Sequence, residues 1–162
     1  DGDTCGGVSP IAGIDKAFLL KWLKWMETEG PRGLGPIPEL AAVTAQSPTP
    51  ELRPGSAAQT AEGDLMPYAA LDVIERAFIR DKRSPAEALA EVRRRFPKAA
   101  PAEHVVWVAR FLRLWCLNQW KRERYAPSFH LDDQNLDPKT WCRFPILSSG
   151  LEAEIAALEG KR

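Results

Sequence analysis

Cationic and aromatic side chains cluster near position 120 of the sequence and could bind a phosphorylated ligand that carries a flat ring. Lys121, Arg122 and Arg124 fall within one helical turn of Trp120 and Tyr125. Ammonium and guanidinium groups bind phosphate oxygens, and the faces of aromatic rings hold bases and cations. The alternative is structural, because cations are also favourable in the last turn of a helix, at the negative end of its dipole. Spacing alone leaves both interpretations open.

Two other residues suit a bound anion. Lys16 stands in the first turn of a helix that Asp15 is expected to cap, close to backbone amides that attract anions. Thr49 stands between Pro48 and Pro50, so its hydroxyl is carried on a stiff backbone and could meet a phosphate or a metal-bound phosphate. An exposed lysine and a plain turn are the corresponding structural alternatives.

The cysteines and histidines predict no metal site. Cys5, Cys116 and Cys142 form neither a CxxC pair nor an even set, which argues against a zinc cage and against a disulfide framework. His104 and His130 have no second histidine or cysteine at metal spacing, so both are interpreted as structural or exposed. No catalytic residue is certain from the sequence.

Composition indicates one globular domain. The chain has 162 residues, 44% of them hydrophobic, which is enough to bury a core. Its 22 basic and 22 acidic residues balance, so no global field would attract nucleic acid or an anionic membrane. We expect a cytoplasmic protein without a membrane segment, because the N-terminus resembles no signal peptide and the most apolar run, residues 105–117, is too short to span a bilayer.

Apolar periodicity predicts a mostly helical chain with at most one or two short strands. The helix that follows Asp15 is expected to face the core, and residues 41–46 are expected to form a strand or a helical turn. Start signals, stop signals and apolar spacing predict five helices. Four of them span residues 15–29, 67–80, 84–97 and 101–122, and the last starts at Ser148 or Ser149.

Three strings carry a resemblance to a known family: GDTCGGVSPIAGIDK, then SPTPELRP followed by QTAEGDLMPY, and NQWKRERYAPSFHLDDQNLDPKTWCRFPIL. Together they resemble the C-terminal part of the synthetase domain of glutamine-dependent NAD synthetases, over nearly the whole chain. The resemblance implies a ligase that uses ATP to amidate deamido-NAD through an adenylated intermediate, with ammonia from glutamine. It also implies a parent fold with a parallel α/β nucleotide-binding sheet, of which this chain is a mostly helical fragment.

The resemblance assigns roles to four residues. Lys16 and Thr49 fall on the family's ATP ligands, and Trp120 and Lys121 fall on the element that contacts deamido-NAD. The sequence departs from the family pattern at Pro50 and Ala61, and the phosphate-gripping SGGxDS loop is absent from it.

The resemblance therefore implies that residues 1–162 are the C-terminal portion of the ligase domain. The N-terminal half of that domain and the glutaminase domain would be partners, and magnesium would be held by that other half. The isolated chain is then expected to be inactive and to expose apolar surface that favours a homo-oligomer.

Two other classes of function are weighed beside the ligase. One is a noncatalytic helical module that binds a protein partner through its tryptophans and its last helix. The other is a nucleic-acid surface, which the zero net charge disfavours, since such surfaces show a basic excess. Its cations would be Arg110, Arg113, Lys121, Arg122 and Arg124.

Overall fold

The computed structural model describes residues 6–46, 61–124, 126–146 and 150–161. Contacts divide the chain into two compact units. The first unit consists of Asp1–Ile14 and Ala69–Arg162, and the second consists of Asp15–Tyr68.

The second unit is built around helix α1 (Lys16–Thr28). Asp15 caps it as predicted, since its carboxylate accepts a hydrogen bond of 2.7 Å from the Phe18 amide. The helix stops at Gly30, which has a φ of 70°. A Cβ at this position would lie 1.7 Å from the carbonyl oxygen of Gly35, so only glycine allows the chain to turn back so closely.

Three short helical turns follow α1 in this unit. A 3-10 turn spans Pro38–Leu40, α2 spans Ala41–Thr44, and α3 spans Ala61–Asp64. The segment predicted as a strand or a helical turn is thus helical. It is held to α1 by a hydrogen bond from the Thr44 hydroxyl to the Glu27 carboxylate.

The prediction that α1 faces the core is wrong. No residue of α1 is buried, and three of its large apolar side chains are exposed by 37–50%: Phe18, Trp22 and Trp25. In its own unit α1 packs mainly against the 3-10 turn and α2. These elements have too few residues to cover the apolar stripe that the periodicity correctly identified.

The first unit consists of packed helices. Helix α5 (Pro85–Arg95) packs against α6 (Pro101–Leu117), α8 (Glu152–Leu158) and a π-helical turn (Arg76–Arg80). Helix α6 also packs against α7 (Gln119–Glu123) and α8. The largest fully buried side chains come from several of these elements and one loop: Ile74, Ile79, Val92, Val108, Leu112 and Cys142. Helix α4 (Tyr68–Glu75) leads directly into the π-helical turn, and all of its residues after Tyr68 belong to this unit.

The helix predicted over residues 84–97 begins with a capping box. The Glu87 amide donates to the Ser84 hydroxyl oxygen at 3.3 Å, and the Ser84 amide donates to the Glu87 carboxylate at 2.8 Å. Because both backbone amides find their acceptors within three residues, the start of this helix could be predicted from the sequence. The last helix, α8, starts three residues later than Ser149, and its Ile155 is buried.

The single helix predicted over residues 101–122 is divided at Asn118. This residue leaves the helical region with φ −101° and ψ 15°, and its side-chain amide donates to the Leu114 carbonyl at 2.8 Å. Such a local bond offers the backbone an alternative to the helix ladder. As a result, the residues after Asn118 lie on the separate short helix α7.

The prediction of a mostly helical chain with few strands is confirmed. In the described ranges the β-structure is limited to one isolated parallel bridge between Ser9 and Ser128. Across the same ranges, no helix is both long enough and apolar enough to cross a membrane.

Candidate functional site

Helix α7 presents an exposed tryptophan flanked by two cations. The side chain of Trp120 is 51% exposed. The Lys121 ammonium lies 5.8 Å from the centre of its ring, and the Arg124 guanidinium carbon lies 5.6 Å from it. An exposed ring with cations held close to it can accept a ligand ring while the cations contact phosphates. Trp120 and Lys121, both predicted as binding residues, are thus adjacent and solvent-facing.

Arg122 does not contribute to this exposed cluster, which corrects the sequence-based grouping of three cations. Its side chain is only 4% exposed and turns inward. Its Nε donates to the Leu136 carbonyl at 3.0 Å, and its terminal nitrogens donate to the carbonyl of Cys142 and, at 3.3 Å, to that of Phe144. The guanidinium is therefore a structural anchor for the loop that follows α7. Tyr125, the other aromatic residue of the predicted cluster, lies outside the described residues.

The buried guanidinium is stabilised by carbonyl groups and a ring. Gln119, also buried, accepts a hydrogen bond from Arg122 through its side-chain oxygen. The guanidinium carbon lies 4.8 Å from the centre of the Trp115 ring. Hydrogen bonds from a charged donor are roughly twice as strong as neutral ones, which offsets part of the desolvation of the cation. Arg122 thus joins α7 to the loop of residues 126–146, here called the C-terminal loop.

The C-terminal loop is ordered by its own polar side chains. Asn135 and Asp137, both buried, accept hydrogen bonds from nearby backbone amides, as in Asx turns: Asp137 N–H to Asn135 at 3.2 Å and Lys139 N–H to Asp137 at 2.8 Å. Farther along, the Trp141 indole N–H donates to the Ile79 carbonyl at 3.1 Å. Phe144 stacks on Phe78 with ring centres 5.6 Å apart. An irregular segment therefore has a defined conformation.

His130 connects two residues of this loop. Its Nε2 lies 3.0 Å from an oxygen of Asp137 and 3.4 Å from the Ser128 hydroxyl. Burial raises the pKa of Asp137, but the Lys139 amide and His130 outweigh it, so the pKa of this carboxyl is lower than usual. In a nucleophilic triad the serine and the acid bind different ring nitrogens. Here both bind Nε2, so the arrangement orders the loop and does not activate Ser128.

The glycine-rich N-terminal segment lies against the same loop. The Ser9 amide donates to the Pro127 carbonyl at 2.9 Å. A Cβ at Gly13 would lie 2.8 Å from Nδ1 of His130 and 3.1 Å from the carbonyl oxygen of Phe129. Glycine is required here because the two segments approach so closely. Two of the three strings that carry the family resemblance are thus neighbours in the first unit.

The structure describes one of the two predicted ATP ligands. Lys16 is the first residue of α1, exposed, and belongs to the second unit. Thr49 lies outside the described residues. Their predicted convergence with Trp120 and Lys121 stays a prediction.

The donor set gives no support for a metal bound by this part of the chain. No group of three or more His, Cys, Asp or Glu side chains could hold an ion within the described ranges. His104 is buried and its Nε2 lies 2.9 Å from the Phe96 carbonyl, so it has a structural role. Cys116 and Cys142 are free thiols.

Sequence reasoning missed the roles of Arg122 and Gly13. The position of Arg122 three residues after Gln119 places both on one face of α7, opposite to Trp120, and this spacing was a usable signal. The need for glycine at position 13 had no local signal, because it depends on His130 from a distant part of the chain.

Fold and site together define a helical chain with an aromatic-cationic surface typical of proteins that bind phosphorylated, ring-bearing small molecules. Comparison with known proteins is more specific. The chain is 35% identical over 126 residues to the glutamine-dependent NAD(+) synthetase of Xanthomonas campestris pv. campestris. The aligned region covers 78% of this chain and 20% of that protein. It also matches a crystal structure of a glutamine-dependent NAD(+) synthetase from Cytophaga hutchinsonii with a TM-score of 0.73 and 41% identity, covering 98% of this chain and 23% of that one.

These matches confirm the resemblance: nearly the whole chain is similar to a part of glutamine-dependent NAD(+) synthetases. The chain spans about a fifth of the length of these relatives. No family model matches it.

Proposed function

We propose that this chain forms part of the substrate site of a cytoplasmic ligase that amidates deamido-NAD to NAD. The reaction would use ATP, proceed through an adenylated intermediate, and take its ammonia from glutamine. The observation that supports this proposal most directly is the exposed Trp120 ring with the cations of Lys121 and Arg124 close to it. Trp120 and Lys121 lie on α7, and the same helix is anchored in the interior by Arg122. The chain is also similar to enzymes named for NAD synthesis.

Trp120 and Lys121 are assigned to deamido-NAD. In this assignment the indole face packs against a ring of the dinucleotide, and the Lys121 ammonium contacts its phosphates. Arg122 and the C-terminal loop hold α7 in position, so that the indole and the ammonium are preorganised.

Lys16 and Thr49 are assigned to ATP. The Lys16 ammonium and the Thr49 hydroxyl would stabilise charge that develops on the departing pyrophosphate. Magnesium would be bound by the N-terminal half of the ligase domain, because the described residues lack a suitable donor cluster. The chain would correspond to the C-terminal portion of that domain, with the other half and the glutaminase domain as partners in a homo-oligomer.

The first test is titration of deamido-NAD into the full 162-residue chain, followed by NMR of the tryptophan indole N–H groups. We expect the Trp120 signal to shift with saturation, and Lys121→Ala to weaken binding about tenfold, as for the loss of one charge-assisted contact. Lys98→Ala, an exposed lysine between α5 and α6, is the matched control and should bind as the unmodified chain does. No saturable shift, or equal effects of the two variants, would contradict the assignment.

The second test concerns turnover. We expect the 162-residue chain to produce no NAD from ATP, deamido-NAD and ammonia, because the phosphate-gripping loop typical of the family is not in this sequence. Alanine at the position of Lys121 in a complete glutamine-dependent NAD(+) synthetase should raise KM for deamido-NAD more than it lowers kcat. Steady turnover by the isolated chain would contradict the first expectation.

A noncatalytic helical module that binds a protein partner is the second candidate. The observation that favours it is the exposed apolar face of α1, where Phe18 and Trp22 are 50% and 44% exposed. If this candidate is right, Trp22→Ser abolishes capture of the partner while deamido-NAD produces no spectral change in the unmodified chain.

A further inference from the structure

A cleft rich in arginine lies on the first unit, away from α7. Its volume is about 470 Å³, within the range of small-molecule sites. It lies between the segment formed by α4 with the π-helical turn and the C-terminal end of α5. We call it the arginine cleft and define it by its five cationic lining residues: Arg76, Arg80, Arg83, Arg94 and Arg95.

An unusual backbone brings Arg83 to this cleft. The Asp81 amide donates to the Arg76 carbonyl at 2.9 Å, which closes a π-helical turn. Lys82 then adopts a left-handed conformation with φ 55°, and the Arg83 amide donates back to the Ala77 carbonyl at 2.9 Å. A non-glycine residue in this region costs about 1 kcal/mol, and such strain and π-turns concentrate at functional sites.

The strain at Lys82 is compensated on the other side of the turn. The Lys82 ammonium donates to the Trp141 carbonyl at 3.3 Å and lies 5.1 Å from the centre of that ring. Lys82 is thus directed toward the C-terminal loop, whereas Arg83 lines the cleft. The turn therefore directs the consecutive cations Lys82 and Arg83 to different places, and Arg83 lines the cleft.

The charges of the arginine cleft are not balanced. Three carboxylates face the five guanidinium groups, leaving a formal excess of two positive charges. Glu91 is shared by Arg94 and Arg95, with N–O distances of 2.6 and 3.1 Å. These two hydrogen bonds lower the pKa of Glu91 to about 2, so it stays ionised at neutral pH.

The two other carboxylates of the cleft pair with two of the three remaining arginines. Arg80 pairs with Asp81 at 2.8 Å, and Arg76 reaches Asp72 only at 4.0 Å. Asp72 also accepts a hydrogen bond from Gln134. Arg83 has no carboxylate within ion-pair distance in the described part of the chain.

A basic last helical turn explains only part of this arrangement. Arg93, Arg94 and Arg95 all end α5, where the helix dipole favours cations. Arg80 likewise stands in the last turn of its helical segment, where the dipole favours a cation. The dipole gives no account of Arg83, which follows Lys82 beyond the end of that segment and still lines the cleft.

We infer that the arginine cleft binds a small molecule carrying two or more linked phosphate groups. Planar guanidinium forks bind phosphate oxygens in pairs, and several forks on opposite walls suit an anion with several charged oxygens. Because the cleft carries two more cations than carboxylates, an anion is attracted in proportion to its charge, so linked phosphates gain more than a carboxylic acid of lower charge. The inference is independent of the proposed ligase site, which uses other residues.

The test is an NMR titration of the full chain with inorganic pyrophosphate in 50 mM salt, following the arginine Nε–H signals. We expect the signals of Arg83 and Arg95 to shift with saturation below millimolar pyrophosphate. Arg83→Gln should weaken this binding about tenfold, as for one charge-assisted contact. Arg93→Gln removes the same charge from the same region outside the cleft and should change the affinity less than twofold.

Other probes separate the possible outcomes. Lys16→Ala, in the proposed ATP site, should leave the Arg83 shift intact, so failure of the ligase proposal and failure of this one are distinguishable. The inference is overturned if pyrophosphate causes no saturable shift of these signals, or if Arg93→Gln acts as strongly as Arg83→Gln. It is also overturned if citrate binds as tightly as pyrophosphate, or if a single-stranded oligonucleotide binds the cleft more tightly.

Discussion

Replacing the buried Arg122 should destabilise the C-terminal loop more than replacing any exposed arginine of this chain. In Arg122→Ala, four acceptors lose their charged donor. They are the side-chain oxygen of Gln119 and the loop carbonyls of Leu136, Cys142 and Phe144. Each buried acceptor left without a donor costs about 1–3 kcal/mol, and part of this is recovered where water enters. We therefore expect a loss of about 3 kcal/mol in the free energy of unfolding, or roughly 6–12 °C in Tm for a chain of this size.

The measurement is urea unfolding followed by circular dichroism, with amide hydrogen exchange across residues 134–144 as a local readout. Arg122→Lys keeps the charge but loses the planar fork, so an intermediate loss of about 1.5 kcal/mol is expected. Arg93→Ala is the matched control, since Arg93 is exposed at the end of α5, and should change stability by about 0.5 kcal/mol or less. Exchange in the loop should accelerate in Arg122→Ala and stay unchanged in the control.

One result would refute the reasoning. If Arg122→Ala is no less stable than Arg93→Ala, and its loop amides exchange no faster, the buried guanidinium does not hold the loop. Trp120 and Lys121 would then need another source of preorganisation.

Three further predictions concern local features. The lowered pKa of Asp137 means that its contribution to stability is fully present above the ordinary carboxyl pKa of 3.8 and is lost as the pH falls through the lower, folded-state pKa. Asp137→Asn should therefore flatten the decline of stability as the pH falls below about 3.8 in acid-dependent urea unfolding; an unchanged decline would exclude this residue as a source. Gly13→Ala should cost about 1–3 kcal/mol, because its Cβ would lie 2.8 Å from His130, whereas Gly7→Ala has nothing within 4 Å and should be tolerated in the same assay. Ser84→Ala should cost about 1 kcal/mol in thermal unfolding, because the cap of α5 is lost; a Tm equal to that of the unmodified chain would argue against the cap.

Sequence and tertiary structure contributed differently to what is known of this protein. Helix ends were predictable at Asp15, Gly30 and Ser84, because the signals there are hydrogen bonds and backbone conformations within a few residues. The exposed pair Trp120 and Lys121 was also predictable, since neighbouring residues on one short helix share a surface. The family resemblance came from strings of residues and needed no structure.

Only the tertiary structure decided which residues are buried and which distant segments meet. The apolar stripe of α1 was correctly identified, but periodicity cannot tell whether another element covers it. Lys121 and Arg122 are neighbouring cations that the sequence does not distinguish. In the structure Arg122 is buried and donates hydrogen bonds to carbonyls of the C-terminal loop. The contact of Gly13 with His130 joins residues that are far apart in the chain, where local sequence carries no information about their distance. The arginine cleft joins two neighbouring helical segments, and their packing, not the local sequence, brings its arginines together.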